Sequence, residues 1–348
     1  MQSRVFILVF IITGLLLVSC RDYTATSVVT SDGEIHRTIE VKADSNLVFT
    51  GTFPVPRDAS WQTEWKQAVD DSDKVVYTAR KTYTSVAEMN ADLDAFDDSL
   101  AYLQIDIRLD RHFRWFNTYL TYHEIYKALN LFNALPISDF LTESQISRVA
   151  AGDTSAVLDS LMESWQEASM VEEIYQGLEK TIAANPMGGI TLQELSAVKD
   201  SLGQVLQDSI DLDDKVVENI LKVVEGVFPN ANLEILLPDL TENLTVFRKK
   251  VDFLDKLMVD NYKLNVQMPG LIIQTNAHAL EGNVAQWTVE ADSMLYRDYD
   301  ARVTARIINT TLLFGTLIFL GLLFSVSTGL WIYRLNKKAK PGKDSSEE

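Results

Sequence analysis

Residues 24–41 read TATSVVTSDGEIHRTIEV, and this stretch decides the first half of the fold. Apolar or small residues alternate with polar ones on both sides of a turn at Ser31-Asp32-Gly33. A period of two is typical of a β-strand with one buried face, and Asp-Gly between two such runs is a hairpin signal. The stretch therefore predicts an antiparallel β-hairpin.

Two further segments carry β signals. Residues 73–84 are rich in β-branched and aromatic residues, which favours a strand. Ser85 follows as an N-cap residue, and together with Glu88 it predicts a helix over about 86–100. Residues 113–126 contain many aromatic and threonine residues, which favours a strand. Four of these aromatic residues also recur at helical spacing, so a helix is the alternative. We interpret the segment as a strand.

The period becomes helical after Pro136. Thr142 with Gln145 forms a capping box, and Asp153 is positioned to cap a long helix that ends near Ala184, before the breaker sequence 185–189. Apolar residues then recur at helical spacing as far as Met258, which is typical of a small bundle, and β signals return from Tyr262. The pattern predicts an α+β fold in which a large helical bundle is inserted into a split antiparallel β-rich domain.

The first twenty residues have the composition of an export signal. The apolar run Val5–Val18 would be about 21 Å long as a helix, which is shorter than the ~30 Å hydrocarbon core of a bilayer. The run ends in Leu17-Val18-Ser19-Cys20, which resembles a bacterial lipobox. We predict lipid attachment to Cys20 after signal cleavage. The alternative is an ordinary cleavage site beside an unrelated cysteine.

The other end of the chain predicts a transmembrane helix. Residues 307–333 carry no charge, and residues 312–333 alone would form about 33 Å of helix. Five basic residues follow, which the positive-inside rule assigns to the cytoplasm. Because α-helical spans are typical of inner membranes, we expect a bacterial inner-membrane protein with its bulk on the periplasmic, outer face and a cytoplasmic tail.

These signals divide the chain into six parts, each with a predicted role. They are a lipoprotein signal peptide (1–20), a first β-rich part (21–130), a helical insertion (131–258), a second β-rich part (259–306), a transmembrane helix (307–333) and a basic cytoplasmic tail (334–348).

Short motifs in the two β-rich parts are similar to a known family. They are Ser31-Asp32-Gly33, Met268-Pro269-Gly270, Asn276, Gly282-Asn283 and Trp287. Together with the C-terminal span, they resemble the LppM-like family of bacterial membrane-anchored lipoproteins. The resemblance covers the β-rich parts and not the helical insertion. It implies an α/β domain similar to lipid-binding folds, without a cofactor and without a catalytic constellation.

The composition excludes several classes of function. A single cysteine among 348 residues rules out disulfide frameworks, iron–sulfur clusters and zinc sites built on several cysteines. A net charge of −18 argues against nucleic acid as a partner. Phosphate-binding and catalytic motifs are absent from the sequence, and its histidines are scattered. We therefore expect no cofactor, no metal and no catalytic residue. The histidines are His36, His112, His123 and His278.

Two sets of residues are candidates for binding. Aromatic residues at Trp115, Tyr119, Tyr122 and Tyr126 could line a groove for a lipid or glycolipid, or they could belong to the core of a sheet. Small residues at Gly321, Ser325 and Gly329 recur at intervals of four in the span, so they share one helix face that could pack against another membrane helix.

The main functional hypothesis is a non-enzymatic envelope lipoprotein. Its extracytoplasmic domain would bind a lipid, a glycolipid or a protein partner near the membrane. One alternative is a membrane-tethered hydrolase of cell-wall or lipid substrates, because carboxylate pairs that meet in space leave no spacing in the sequence. Another is a structural subunit of an inner-membrane complex.

Overall fold

The computed structural model describes residues 21–69, 71–96, 102–150, 153, 155–209 and 215–338. It confirms the α+β class, with two β-sheets, a helical insertion and a C-terminal apolar helix. The signal peptide, Cys20 and the last ten residues of the tail lie outside the described part. The strands are β1 (Asp22–Val29), β2 (Ile35–Ala43), β3 (Gln62–Gln67), β4 (Val75–Tyr83), β5 (Ile105–Arg114), β6 (Asn117–Tyr126), β7 (Asn261–Gln267), β8 (Leu271–Thr275), β9 (Ala279–Glu281), β10 (Val284–Val289) and β11 (Tyr299–Ile308).

The helices fall into three groups along the chain. Among the described residues, one helix precedes β5, seven lie between β6 and β7, and one follows β11. They are α1 (Val86–Asp94), α2 (Glu143–Ala150), α3 (Ala156–Ala184), α4 (Leu192–Ala197), α5 (Lys199–Ser209), α6 (Val216–Val227), α7 (Leu233–Asn243), α8 (Thr245–Val259) and α9 (Thr310–Lys338), with short 3-10 turns at Ile137–Asp139 and Ala291–Ser293.

Both sheets combine strands from the two β-rich parts of the chain. The first sheet has the order β3-β4-β2-β1-β7-β10-β9, and the second has the order β5-β6-β11-β8. The predicted hairpin is confirmed as β1–β2, with Gly33 in the left-handed region at φ +98°. β1 and β7 pair in parallel, so the first sheet is mixed rather than wholly antiparallel.

The segment 113–126 forms a hairpin and not one continuous strand. It contains the end of β5, a two-residue turn at Trp115-Phe116, and β6. Trp115 adopts φ +52°, a conformation that a bulky side chain rarely takes. The sequence does not predict this turn, because two-residue hairpin turns usually contain Gly or Asn and this one contains neither.

The cap signals of the helices are largely confirmed. Ser85 accepts a hydrogen bond from the Glu88 amide at the start of α1, and Thr142 and Gln145 bond reciprocally before α2. α3 ends at Ala184, as predicted. The prediction for Asp153 is wrong, because Ser155 is the N-cap residue of α3. Asp153 instead accepts a bond from the Ser155 amide in a local turn.

The sandwich of two sheets has two distinct ends. β6 ends and β7 begins at one of them, where Tyr126 contacts Tyr262 with ring centroids 5.8 Å apart. We call this the insertion end, because the helices α2–α8 leave and return there. β11 ends beside the start of β6 at the other, where Ile308 pairs with Asn117. We call this the helix end, because only Asn309 separates β11 from α9 there.

α9 is long and apolar enough to cross a membrane. The segment Thr310–Leu335 has a mean hydropathy of 2.0, and none of its most apolar stretch is buried against the rest of the chain. Its 26 residues correspond to about 39 Å of helix, more than the ~30 Å hydrocarbon core.

Candidate functional site

A charged pair lies in the middle of the sandwich. Arg37 donates from Nη1 to Glu124 Oε2 at 2.8 Å and from Nη2 to Glu124 Oε1 at 2.9 Å, which is a bidentate contact. Arg37 is 3 % exposed and Glu124 is 0 % exposed. The pair joins β2 of the first sheet to β6 of the second across the core.

Strand periodicity turns both charges inward. Arg37 lies between Ile35 and Ile39 on the buried face of β2, at a spacing of two residues. Glu124 lies between Tyr122 and Tyr126 on the buried face of β6, at the same spacing. Because side chains on a strand point alternately to its two faces, these residues could not face solvent without turning their apolar neighbours outward.

Four hydroxyl groups add hydrogen bonds to the pair, while the buried Arg37 Nε has no hydrogen-bond partner within the described residues. Tyr122 donates to Glu124 Oε2 at 2.8 Å, and Tyr126 donates to Glu124 Oε1 at 2.7 Å. Ser27 accepts from Arg37 Nη1 at 2.8 Å, and the hydroxyl of Tyr262 accepts from Nη2 at 3.2 Å. Each carboxylate oxygen therefore accepts two hydrogen bonds, from one arginine nitrogen and one tyrosine.

The cluster favours its charged form. Burial alone would raise the pKa of Glu124, but the Arg37 charge and the donors around the carboxylate lower that pKa below its ordinary value. Burial and the nearby carboxylate raise the pKa of Tyr122 and Tyr126 well above the ordinary value. Burial is also the main cause that raises the pKa of Tyr262 to about 12. The tyrosines stay protonated, so Tyr122 and Tyr126 remain donors to the carboxylate.

The closed geometry suits a structural role. A general base must reach a substrate proton directly or through one water molecule. Glu124 is fully buried, and both of its oxygens already accept bonds from protein donors. The cluster therefore locks the two sheets together, and both oxygens of the Glu124 carboxylate are occupied by protein donors.

A second buried ion pair fixes the insertion end. Arg21 donates to Asp260 Oδ1 at 2.6 Å and to Thr50 Oγ1 at 2.9 Å. The backbone amide and hydroxyl of Thr52 donate to Asp260 Oδ2. Arg21 follows the predicted lipid attachment residue Cys20 and directly precedes β1. The network therefore ties the start of β1 to the junction of α8 and β7.

The predicted aromatic groove is not formed by its four residues. Trp115 lies in the β5–β6 turn and is 81 % exposed, while Tyr122 and Tyr126 are buried in the charged cluster. Tyr119 is on the opposite face of β6 from those two tyrosines. The alternation of β6 separates residues that helical spacing would have brought together.

The predicted packing face of the span remains open to a partner. Gly321 and Gly329 have no neighbour within 4 Å of an added Cβ, and Ser325 donates its hydroxyl to the Gly321 carbonyl at 2.8 Å within α9. Within the described residues, no group of three or more His, Cys, Asp or Glu side chains is arranged to hold a metal ion.

A shallow groove lies on the helical insertion between α5 and α6. Its volume is about 470 Å³. Its lining combines apolar or small residues with one asparagine and one lysine, and comprises Val205, Asn219, Lys222, Val223, Gly226 and Val227. No motif in the sequence marks this groove, because its residues follow an ordinary helical pattern.

Comparison with known proteins gives little further information. No family model matches the chain, and no curated protein matches it. Among solved structures, the chain is similar to the NMR structure of the folded domain of LppM from Mycobacterium tuberculosis, at 9 % sequence identity and a TM-score of 0.31. The match covers 84 % of this chain and 94 % of that one. This is weak structural similarity, and the resemblance to the LppM-like family stays a prediction.

Proposed function

We propose that this protein is a non-enzymatic envelope lipoprotein that holds a protein-binding domain at the surface of a membrane. The observation that carries the proposal is the junction at the helix end. Asn309 alone separates β11 from α9, and its amide donates to the Phe116 carbonyl at 2.6 Å. A domain joined in this way to a membrane helix has little freedom to leave the bilayer surface.

The helical insertion is the part that we assign to partner binding. The space between the sheets is filled by the core and the Arg37–Glu124 cluster, which argues against a ligand held between them. The insertion leaves the sandwich at the end opposite α9, and it carries the groove between α5 and α6. Val205 in this groove is 40 % exposed, so it offers apolar surface to a partner.

The orientation follows from charge. Arg334, Lys337 and Lys338 end α9, and two more lysines follow in the tail. The positive-inside rule assigns this flank to the cytoplasm and the sandwich to the outer face of a bacterial inner membrane. Protease added to spheroplasts should remove the sandwich and insertion and spare a tag placed after Glu348. Digestion of that tag in intact spheroplasts would reverse the topology.

A lipid on Cys20 would add a geometric constraint. Arg21 directly precedes β1 and Val29 ends it, so the two residues lie about 26 Å apart at ~3.3 Å per residue. Arg21, the first described residue, lies at the insertion end, and α9 leaves from the helix end. If both anchors enter one bilayer, β1 must run along its surface, so lipidation would fix the tilt of the sandwich.

Partner binding is tested by charge substitutions in the groove. We expect Val205→Glu with Val223→Glu to abolish cross-links between the full chain and its partner in intact membranes. Val157→Glu, at a more exposed valine on α3, serves as the matched control and should leave the cross-links unchanged. A stoichiometric lipid in an organic extract of the purified protein, together with cross-links that survive the groove substitutions, would contradict protein binding.

A further inference from the structure

The β5–β6 turn places exposed aromatic residues beside the start of α9. Trp115 is 81 % exposed and Phe113 is 58 % exposed. The rings of Trp115 and Phe116 stack with centroids 5.6 Å apart. Such large apolar side chains are rarely left in water on the surface of a folded domain unless they contact something else.

The backbone of this turn is strained in a way that ordinary turn chemistry avoids. The first central position of a tight hairpin turn often needs a positive φ, which Gly adopts freely. Trp115 occupies that position at φ +52°. A strained residue in a turn indicates that its side chain has a use that offsets the cost.

The turn is fixed to the membrane helix through backbone contacts. Phe116 accepts the Asn309 hydrogen bond, and Asn117 pairs with Ile308. α9 begins at the next residue, Thr310. The turn therefore lies at the level where the chain enters the bilayer, whatever the tilt of the sandwich.

Charge at the turn has the sign that anionic lipid headgroups attract. Arg111 and Arg114 are exposed, and the segment 111–117 contains no carboxylate, although the chain as a whole carries a net charge of −18. Arg306 lies nearby on β11 and is half-buried, so the two exposed arginines of the turn carry the charge that faces outward. Basic residues near an anionic surface strengthen membrane association.

We infer that the turn Arg111–Asn117 is a membrane-contacting surface whose occupant is the interfacial layer of the bilayer that α9 enters. Trp115 and Phe116 lie at the level of the headgroups, where aromatic residues are enriched, and the arginines contact lipid phosphates. This inference rests on the proposed anchoring by α9. It adds a second, lateral contact that sets how the sandwich meets the membrane.

Tryptophan quenching in reconstituted vesicles tests the inference. The full chain is placed in vesicles of phosphatidylcholine that include a lipid with a nitroxide near its headgroup. We expect Trp115→Phe to remove part of the quenched emission. Trp65→Phe, which removes another exposed indole on β3, should leave the quenched emission unchanged. Trp331 in α9 remains in every variant and reports whether the span is inserted.

The contribution of the arginine charges is tested in vesicles made of equal parts of phosphatidylcholine and phosphatidylglycerol. Quenching of Trp115 should be stronger there than in phosphatidylcholine alone, and Arg111→Gln with Arg114→Gln should abolish the difference. Arg108→Gln is the matched control, because Arg108 lies on the same strand and already pairs with Asp106.

Two results separate this inference from the proposed function. If Trp331 is quenched and Trp115 is not, α9 is inserted and the membrane contact of the turn is wrong. This holds whether Trp115 is open to an aqueous quencher or covered by another protein copy. If neither is quenched, the anchoring and the contact are both wrong.

Discussion

The two ends of β6 depart from ordinary surface and core composition in opposite ways. At Glu124 and Tyr126, near the insertion end, a charge lies inside the sandwich with its hydrogen bonds satisfied. At the turn just before the strand begins, the ring of Trp115 lies exposed and stacks on the neighbouring ring of Phe116. A buried carboxylate whose oxygens are bonded within the core indicates a structural role, whereas an exposed aromatic residue beside an apolar helix indicates an interface.

The largest effect is expected from breaking the buried pair. Arg37→Met leaves Glu124 as an uncompensated charge in the core and should lower the free energy of unfolding by about 3 to 5 kcal/mol. Chemical denaturation of the full chain in mild detergent measures this change. Arg80→Met, at an exposed arginine whose partner Glu64 is also exposed, should have no measurable effect. Equal effects at the two sites would remove the distinction between structural and surface charges.

The same cluster predicts a pH dependence with a definite sign. Since folding lowers the pKa of Glu124, its contribution to stability is present above the ordinary value of 4.5 and is lost as the pH falls through the lower folded value. Glu124→Gln should flatten this acid limb of the stability profile, and its neutral-pH stability should be lower than that of the unaltered chain. An acid limb that is unchanged in the variant would assign the loss to other carboxylates.

A substitution in the turn at the other end of β6 should raise the stability of the fold, whereas substitutions in the buried pair lower it. Trp115→Gly relieves a positive φ and removes no buried contact, so it should raise the free energy of unfolding by about 1 kcal/mol. The same variant should lose the membrane contact of the turn. Thermal unfolding in detergent measures the first effect. Destabilisation by this substitution would mean that Trp115 supports the fold.

The smallest effect on stability is expected within the span. Gly321→Leu with Ser325→Leu fills one face of α9 and increases its hydrophobicity, so the anchor should persist. If this face packs against a second helix, cross-linking in membranes should be lost. The control is Leu322→Ile with Leu323→Ile, because these two residues do not belong to the four-residue series of small residues. An unchanged pattern of cross-links would leave α9 as a plain anchor.

Much of the fold could be predicted because it depends on local patterns. The β1–β2 hairpin, the long helix α3 and the apolar α9 each have their own period, turn or cap in the sequence. The parallel pairing of β1 with β7 could not be predicted, because it joins residues separated by the whole insertion and has no turn of its own.

The charged cluster had a signal that was overlooked. Arg37 stands between Ile35 and Ile39 at a spacing of two, and Glu124 stands between Tyr122 and Tyr126 in the same way. A search for apolar periodicity passes over charged residues, although a charge at an inward position of a strand needs a partner of opposite sign. Which arginine meets which glutamate depends on how the sheets pack, and the sequence does not contain that information locally.

Membrane partition of two variants tests the central claim most directly. Cys20→Ala removes the predicted lipid and should leave the signal uncleaved. A second variant combines the loss of the lipid with a stop after Asn309, which also removes α9, and replaces residues 1–20 with a cleavable signal that attaches no lipid. Because one lipid chain is a weaker attachment than a membrane helix, we expect Cys20→Ala to stay in the membrane pellet after an alkaline wash. The combined variant should be soluble and should retain a cooperative unfolding transition. Release of the single Cys20→Ala variant into the soluble fraction would contradict anchoring by α9.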